Sequence, residues 1–290
     1  MDTVRPAPLD LTGDLALARA AFDAFLTATP AKADVRAATT DLGGVPVVDV
    51  RVDGAPDPGG VLLYLHGGAY VVGSARASVR LASAVARAGG ARAVVVDYRL
   101  APEHPHPAAV EDAVACYVAL LASGVRAEQV VVVGESAGGG LALALEVVLR
   151  DRGLPQPAGT VVFSPWTDLT LSGASHHERA ALDPVLSAAA LAPRAAQYAG
   201  AAGVGEPLVS PLFADLRGLP PLLVQVGSAE VLLDDATGLA ARAAAAGVPV
   251  TLEVEAGATH VFQLHHGTDP AADAALQRVG TFLRRVLERG

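Results

Sequence analysis

The residues best placed to do chemistry are Gly134-Glu135-Ser136-Ala137-Gly138, which end a run of four valines (130–133) and are followed by Gly139 and Gly140. A serine hydroxyl is a poor nucleophile alone. It needs a base to take its proton, a group to orient that base, and N–H donors for the oxyanion. A sharp strand-to-helix turn lifts such a hydroxyl clear of a sheet, and glycines two residues either side give the turn clearance. Gly134 and Gly138 fit that need, and Gly139 and Gly140 would let the next helix pack closely. Glycine-rich turns also cradle phosphate. Here no Gly-Lys-Ser/Thr ending and no Gly-x-Gly-x-x-Gly accompanies the turn, which argues against a nucleotide site.

The base should lie late in the chain, in a loop after a strand. Of the eight histidines, His260 stands in "ATHVF", just past the last strand pattern, "VTLEVEAG". His104 and His106 lie in a proline-rich loop, His176 and His177 in a polar stretch, and His265 and His266 at the surface or the mouth of a site. None of the pairs has the i, i+4 spacing of a helical zinc site, so no metal is expected. The orienting acid should follow the strand "PLLVQVG". The loop there reads "GSAEVLLDD", which offers Glu230, Asp234 and Asp235. Asp234 and Asp235 fall at the start of the next helix, where acids also complement the helix dipole. Glu230 is nearest the strand end. Oxyanion donors should come from "HGGAY" (66–70), where adjacent glycines allow close backbone approach, and from the N–H of Ala137.

Short apolar strands alternate with amphipathic helices along the chain. Strands are predicted at 45–54, 61–68, 91–98, 129–134, 159–165, 221–227 and 250–257. Helices are predicted at 10–28 (with Thr12 as a possible cap), 76–89, 108–123, from Leu141 to Gly153, near 187–199, 234–247 and 270–289. The segment "APDPGG" reads as a loop. This alternation predicts an α/β fold with a mostly parallel sheet covered on both faces. The pattern breaks at 168–218, an Ala-, Ser- and Pro-rich excursion that could cap the strand ends together with the N-terminal helix.

The 290 residues are 52% hydrophobic, enough for a sizeable core, and carry a net charge of −9. That charge argues against nucleic-acid and anionic-lipid surfaces and favours a neutral or apolar substrate. Cys116, the single cysteine, excludes an intramolecular disulfide and sits in an apolar helical pattern. No signal peptide is expected from the N-terminus. No apolar run reaches the roughly 18 residues of a membrane span, so a cytoplasmic protein without stable membrane insertion is expected.

Together "LYLHGGAYVVGS", "VVVDYRLAPEHPHPAAVEDA", "VVVGESAGGGLA", "SPWTDLT" and "ATHVFQL" resemble the hormone-sensitive-lipase-like family of α/β-hydrolases, mostly carboxylesterases, over roughly residues 45 to 285. The resemblance implies the α/β-hydrolase fold, Ser136 as nucleophile and His260 as base. In the family the acid opens a D-P-L-x-D motif about 30 residues before the histidine. Here that register reads Glu230-Val231-Leu232-Leu233-Asp234, so Glu230 would replace the usual aspartate, with Asp234 as the alternative. The family HGGG motif has Ala69 in place of its last glycine. The implied oxyanion hole is Gly67, Gly68, Ala69 and Ala137, with Gly68, Ala69 and Ala137 donating and Gly67 giving the turn its freedom. His66 would hold that loop, and Glu135 and "DYRLAPEHP" would support it. The resemblance further implies a catalytic domain over 45–290, a helical cap from residues 1–44 and from about 170–205, no cofactor, short to medium acyl esters as substrates, and homodimers through edge strands. Amide or peptide hydrolysis on the same triad, or a non-catalytic ligand receptor on the same fold, are the alternatives.

Overall fold

The structure, a computed structural model, describes residues 11, 13–54 and 60–288. Helix α1 (Leu15–Thr27) starts at Asp14, whose carboxylate accepts from the N–H groups of Ala16 and Leu17. That satisfies two donors that a helix start leaves open. Thr12, the expected cap, lies outside the described residues. Strands β1 (Val35–Leu42) and β2 (Val45–Val52) then form an antiparallel hairpin. Its turn is Gly43-Gly44, both with positive φ, as a two-residue hairpin loop requires.

Strand β1 is a departure from the sequence expectation. Residues 1–44 were expected to be a helical cap region. Among the described residues of that stretch the structure gives helix over 15–27 and places 35–42 in the sheet. The reason is that β1 is a largely exposed strand, "VRAATTDL", with no apolar alternation to mark it.

The rest alternates as the sequence predicts: β3 (Val61–Leu65), α2 (Val79–Gly89), β4 (Arg92–Val96), α3 (Ala108–Ala122), β5 (Val130–Glu135), α4 (Ala137–Asp151), β6 (Gly159–Phe163), then α5 (Ser175–Glu178) and α6 (Ala188–Ala199) in the excursion, and finally β7 (Leu222–Gly227), α7 (Leu233–Ala245), β8 (Val250–Glu255) and α8 (Pro270–Leu287). Four-residue α5 is too short to leave a periodic signature. The segment 55–59, most of the predicted "APDPGG" loop, is outside the described residues.

Among the described residues eight strands form one sheet in the order β1-β2-β4-β3-β5-β6-β7-β8. β1, β2 and β4 pair antiparallel, and every pair from β4 to β8 is parallel. Successive side chains of a strand point to opposite faces. On β5, Val130 and Val132 therefore join the core under α3, α4 and α7, while Val131 and Val133 join the core under α2 and α8. A central strand needs apolar residues at both parities for this, which explains the unbroken valines. Each such side chain contributes about 1.5–3 kcal/mol on burial. The chain runs from β3 outward to β4, then returns past β3 to β5. The carboxyl ends of strands at such a reversal form a crevice where α/β proteins place their sites, and Ser136 follows β5 there.

Candidate active site

Ser136 is the residue between β5 and α4, with φ 53° and ψ −123°. That backbone region costs on the order of 1–3 kcal/mol for a non-glycine residue unless its surroundings hold it. Ser136 donates its N–H to the Phe163 carbonyl at 2.8 Å and accepts from Gly139 and Trp166 at 2.9 Å. The flanking glycines are required by contact. A Cβ on Gly134 would lie 2.2 Å from the Gly138 carbonyl oxygen, and one on Gly138 would lie 2.0 Å from that of Leu65. Gly140 has the same kind of reason: a Cβ there would stand 2.2 Å from the Trp166 carbonyl oxygen and 2.8 Å from the Tyr70 hydroxyl.

His260 Nε2 lies 3.0 Å from Ser136 Oγ, and its Nδ1 lies 2.8 Å from Glu230 Oε2. A carboxylate only accepts, so Nδ1 carries the hydrogen toward Glu230 and Nε2 is left to accept from the serine. Burial is the largest influence on His260 and opposes its charged form. The hydrogen bond and charge of Glu230, helped by the charges of Asp183 and Glu135, outweigh burial and hold the imidazole above its ordinary pKa.

Glu230 reaches His260 because two loops are zipped together. Ala229 donates to the Ala258 carbonyl at 3.0 Å. Gly227 packs so close that a Cβ would lie 2.2 Å from the Ala258 oxygen. Glu230 Oε1 accepts from the Gly227 N–H at 2.6 Å and from Ser164 Oγ at 2.8 Å. Ser164 Oγ also accepts from the N–H of Val261 at 3.0 Å, so one buried hydroxyl ties the acid to the histidine loop. Asp183 is a second tie: its carboxylate accepts from Val231 at 2.9 Å and from Val185 and Leu186 in the excursion. Sequence reasoning missed both residues. Nothing local marks them, since their partners are 66 and 48 positions away.

Asp234 and Asp235 are engaged elsewhere. Asp234 accepts from the N–H of Ser175 at 2.9 Å and so caps α5. Asp235 is buried, accepts from the N–H groups of Thr167 and Asp168, and lies 3.4 Å from His176. His176, expected in a polar stretch, is thus a core residue. Cys116 is buried too, and burial pushes its thiol up to about 12.

In the oxyanion loop Gly68 has φ 121°, Ala69 φ 50° and Tyr70 φ 63°. The freedom expected of Gly67 is needed at Gly68, where a Cβ would lie 2.1 Å from the Val72 oxygen. The N–H of Gly67 is spent on Glu135 Oε1 at 3.3 Å, so Gly67 shapes the loop without an N–H to offer an oxyanion. Among the described residues nothing accepts from the N–H groups of Gly68, Ala69 and Ala137. Ala137 opens α4, where a backbone donor is left over by helix geometry. His66 contacts the Gly67 oxygen through Nδ1 at 2.7 Å and stacks on Tyr98, whose hydroxyl donates to the His66 carbonyl at 2.7 Å.

Ser136, His260, Gly68 and Ala69 border a cavity of about 160 Å³. Phe22, Phe25 and Leu26 wall it from α1, and Pro184, Leu186 and Leu191 from the excursion. Among the described residues no cluster of His, Cys, Asp or Glu is arranged to hold a metal ion.

A serine on a strand–helix elbow, hydrogen-bonded through histidine to a carboxylate, defines a hydrolase of the α/β class. The family model described as alpha/beta hydrolase fold matches residues 62–264. The acetyl-hydrolase of Streptomyces hygroscopicus is 45% identical over 256 residues, 85% of this chain and 86% of that protein. The esterase of Acinetobacter venetianus is 38% identical over 77% of this chain and 74% of its own. A crystal structure of an esterase from the bacterial hormone-sensitive lipase family superposes with a TM-score of 0.92 at 44% identity, covering 95% of this chain and 92% of that one. EstE5, soaked with p-nitrophenyl butyrate, gives 0.91 at 41%, with the same coverage. The chain belongs to the hormone-sensitive-lipase-like branch of the α/β-hydrolase family.

Proposed function

We propose that this protein is a serine carboxylesterase in which Ser136, His260 and Glu230 act as nucleophile, base and orienting acid. The observation that carries the reading is the hydrogen-bonded relay at 3.0 and 2.8 Å. His260 takes the Ser136 proton as Oγ attacks the ester carbonyl. The oxyanion rests on the N–H groups of Gly68, Ala69 and Ala137. Imidazolium then protonates the leaving alcohol, and water repeats the sequence on the acyl-enzyme.

The substrate reading is an ester of a short to medium acyl chain. The cavity is apolar, and at about 160 Å³ it is below the roughly 300–1,000 Å³ of common ligand pockets. Residues of α1 and of the 170–205 segment act as its cap. Tyr198 of α6 stacks on Tyr70 of the oxyanion loop at 3.6 Å, which supports that role. Homodimer formation belongs to the same reading. β8 ends the sheet among the described residues and leaves Leu252 and Val254 exposed beside an unpaired edge, and light scattering reads the mass. A cytoplasmic location is also part of it, checked by fractionation. No helix among the described residues is long and apolar enough to cross a membrane.

The test is hydrolysis of p-nitrophenyl esters of graded chain length beside matched anilides. Ester turnover that is greatest at short chains, exceeds anilide turnover and disappears in a folded Ser136→Ala variant is expected. Near-full kcat in Ser136→Ala defeats the assignment, and faster anilide turnover makes the protein an amidase.

A further inference from the structure

A second cavity of about 160 Å³ lies beside the Ser136 cavity. The two share Phe25, Leu26, Glu135, Leu264 and His265 as walls. Two walls of the second cavity carry buried polar atoms without a partner among the described residues, Glu135 Oε2 and Ser78 Oγ. Both residues are deeply buried, at 4% and 3% exposure. Glu135 Oε1 is occupied by the Gly67 N–H. The Tyr64 hydroxyl neighbours Glu135 and favours its charged form, but it stands outside hydrogen-bonding geometry with Oε2. Ser78 stands at the start of α2, yet its hydroxyl makes no capping bond.

An unpaired buried polar atom costs about 1–3 kcal/mol. Bound water is the usual remedy where a cavity is polar and exceeds the roughly 30 Å³ that each molecule occupies. A further basin adjoins this cavity on its outer side. The cavity shares Thr29 and Arg80 with this basin of about 450 Å³, which includes Lys32 and Asp273. Arg80 donates to the carbonyls of Leu264 and His266 at 2.5 and 2.7 Å, holding the loop between basin and site. The Ser136 cavity itself is apolar, and in an acyl-enzyme the acyl chain fills it. Deacylating water then needs a polar approach of its own.

We propose that the compartment between Ser78 and Glu135 holds the water that deacylates Ser136. The proposal rests on the serine-esterase reading. The water oxygen bonds to the acyl carbon while His260 Nε2 takes one of its protons. The adduct then breaks its bond to Ser136 Oγ, which recovers that proton from His260, and the carboxylic acid leaves. Ser78 and Glu135 are positioning residues: they accept hydrogen bonds from water and do not react.

Valine and threonine have nearly the same shape, so Ser78→Val and Ser78→Thr differ mainly in the hydroxyl. With p-nitrophenyl butyrate, kcat/KM and the burst report acylation, and decay of the acyl-enzyme mass reports deacylation. Ser78→Val should slow that decay by about tenfold while kcat/KM stays within about twofold. Ser78→Thr should keep decay close to that of the unaltered protein. Unchanged decay in Ser78→Val overturns the proposal, as does an equal fall in decay and kcat/KM. Absence of ester turnover in the unaltered protein, or its persistence in a folded Ser136→Ala variant, defeats the esterase reading instead. Should Ser78→Val fail to fold, a high-resolution crystal structure decides. Waters bonded to both Glu135 Oε2 and Ser78 Oγ support the proposal, and a cavity without density for them overturns it.

Discussion

At the scale of residues, the informative contrast is between Glu230 and Asp234, carboxylates four positions apart, the first in the loop after β7 and the second in the first turn of α7. Glu230 touches His260, whereas Asp234 caps α5 through Ser175. Loss of the orienting carboxylate in a comparable triad costs about 10⁴ in kcat, so Glu230→Gln should fall by that order. Asp234→Asn should stay within about tenfold and lose instead about 1 kcal/mol of stability, as a weakened cap does. Steady-state kinetics with thermal melts rank the two, and the reverse ranking transfers the role to Asp234. The pH profile belongs to the same scale. Activity needs neutral His260, and Glu230 raises its pKa, so the acidic limb of kcat/KM should lie above the roughly 6.5 of a free imidazole. In Glu230→Gln the residual activity should have its limb at lower pH, because the charge that favoured imidazolium is gone. A profile flat from pH 8 to 5 would count against a histidine base.

At the scale of elements, the elbow is a packing problem solved with missing side chains. β5 enters at the sheet centre, and α4 leaves so close to Trp166 that Gly140 has no room for a methyl group. Gly140→Ala should therefore destabilise by about 1–3 kcal/mol or more, as overpacking does. Gly205→Ala is the control: nothing lies within 4 Å of a Cβ there. A melting temperature lowered only in Gly140→Ala is expected, and equal values for the two would refute the contact argument.

At the scale of the whole molecule, polar ties join α1 to the body and α6 to the residues just before α1. Arg19 of α1 donates to the Val71 and Ala101 carbonyls and pairs with Glu103, and Arg194 of α6 donates to the Leu11 carbonyl. One buried group contributes to how stability responds to pH. Glu146 of α4 meets Thr160 of β6 inside the core, and burial pushes its carboxyl up to about 8. A group with a raised folded pKa contributes its full stability below the unfolded value, here 4.5, and loses it as pH rises through the folded one. Glu146→Gln should thus melt at a similar temperature to the unaltered protein near pH 4.5 and above it at pH 8, by on the order of a few kcal/mol in stability. A constant difference between the two pH values would sink this account.

Much of this protein is written in local pattern. The valines before Ser136 and the glycines around it sit next to one another in the chain, so periodicity and spacing determined the parallel sheet and the elbow, and the strand before His260 together with the family resemblance of "ATHVF" marked the candidate base. Chain distance hides the rest. β1 joins the sheet although its exposed residues carry no alternation. Glu230 prevails over Asp234 only because the Gly227 and Ala258 loops close on each other. Ser164 and Asp183 meet their partners across elements. Those pairings depend on how packed strands align their carboxyl ends, and only the tertiary structure decides that.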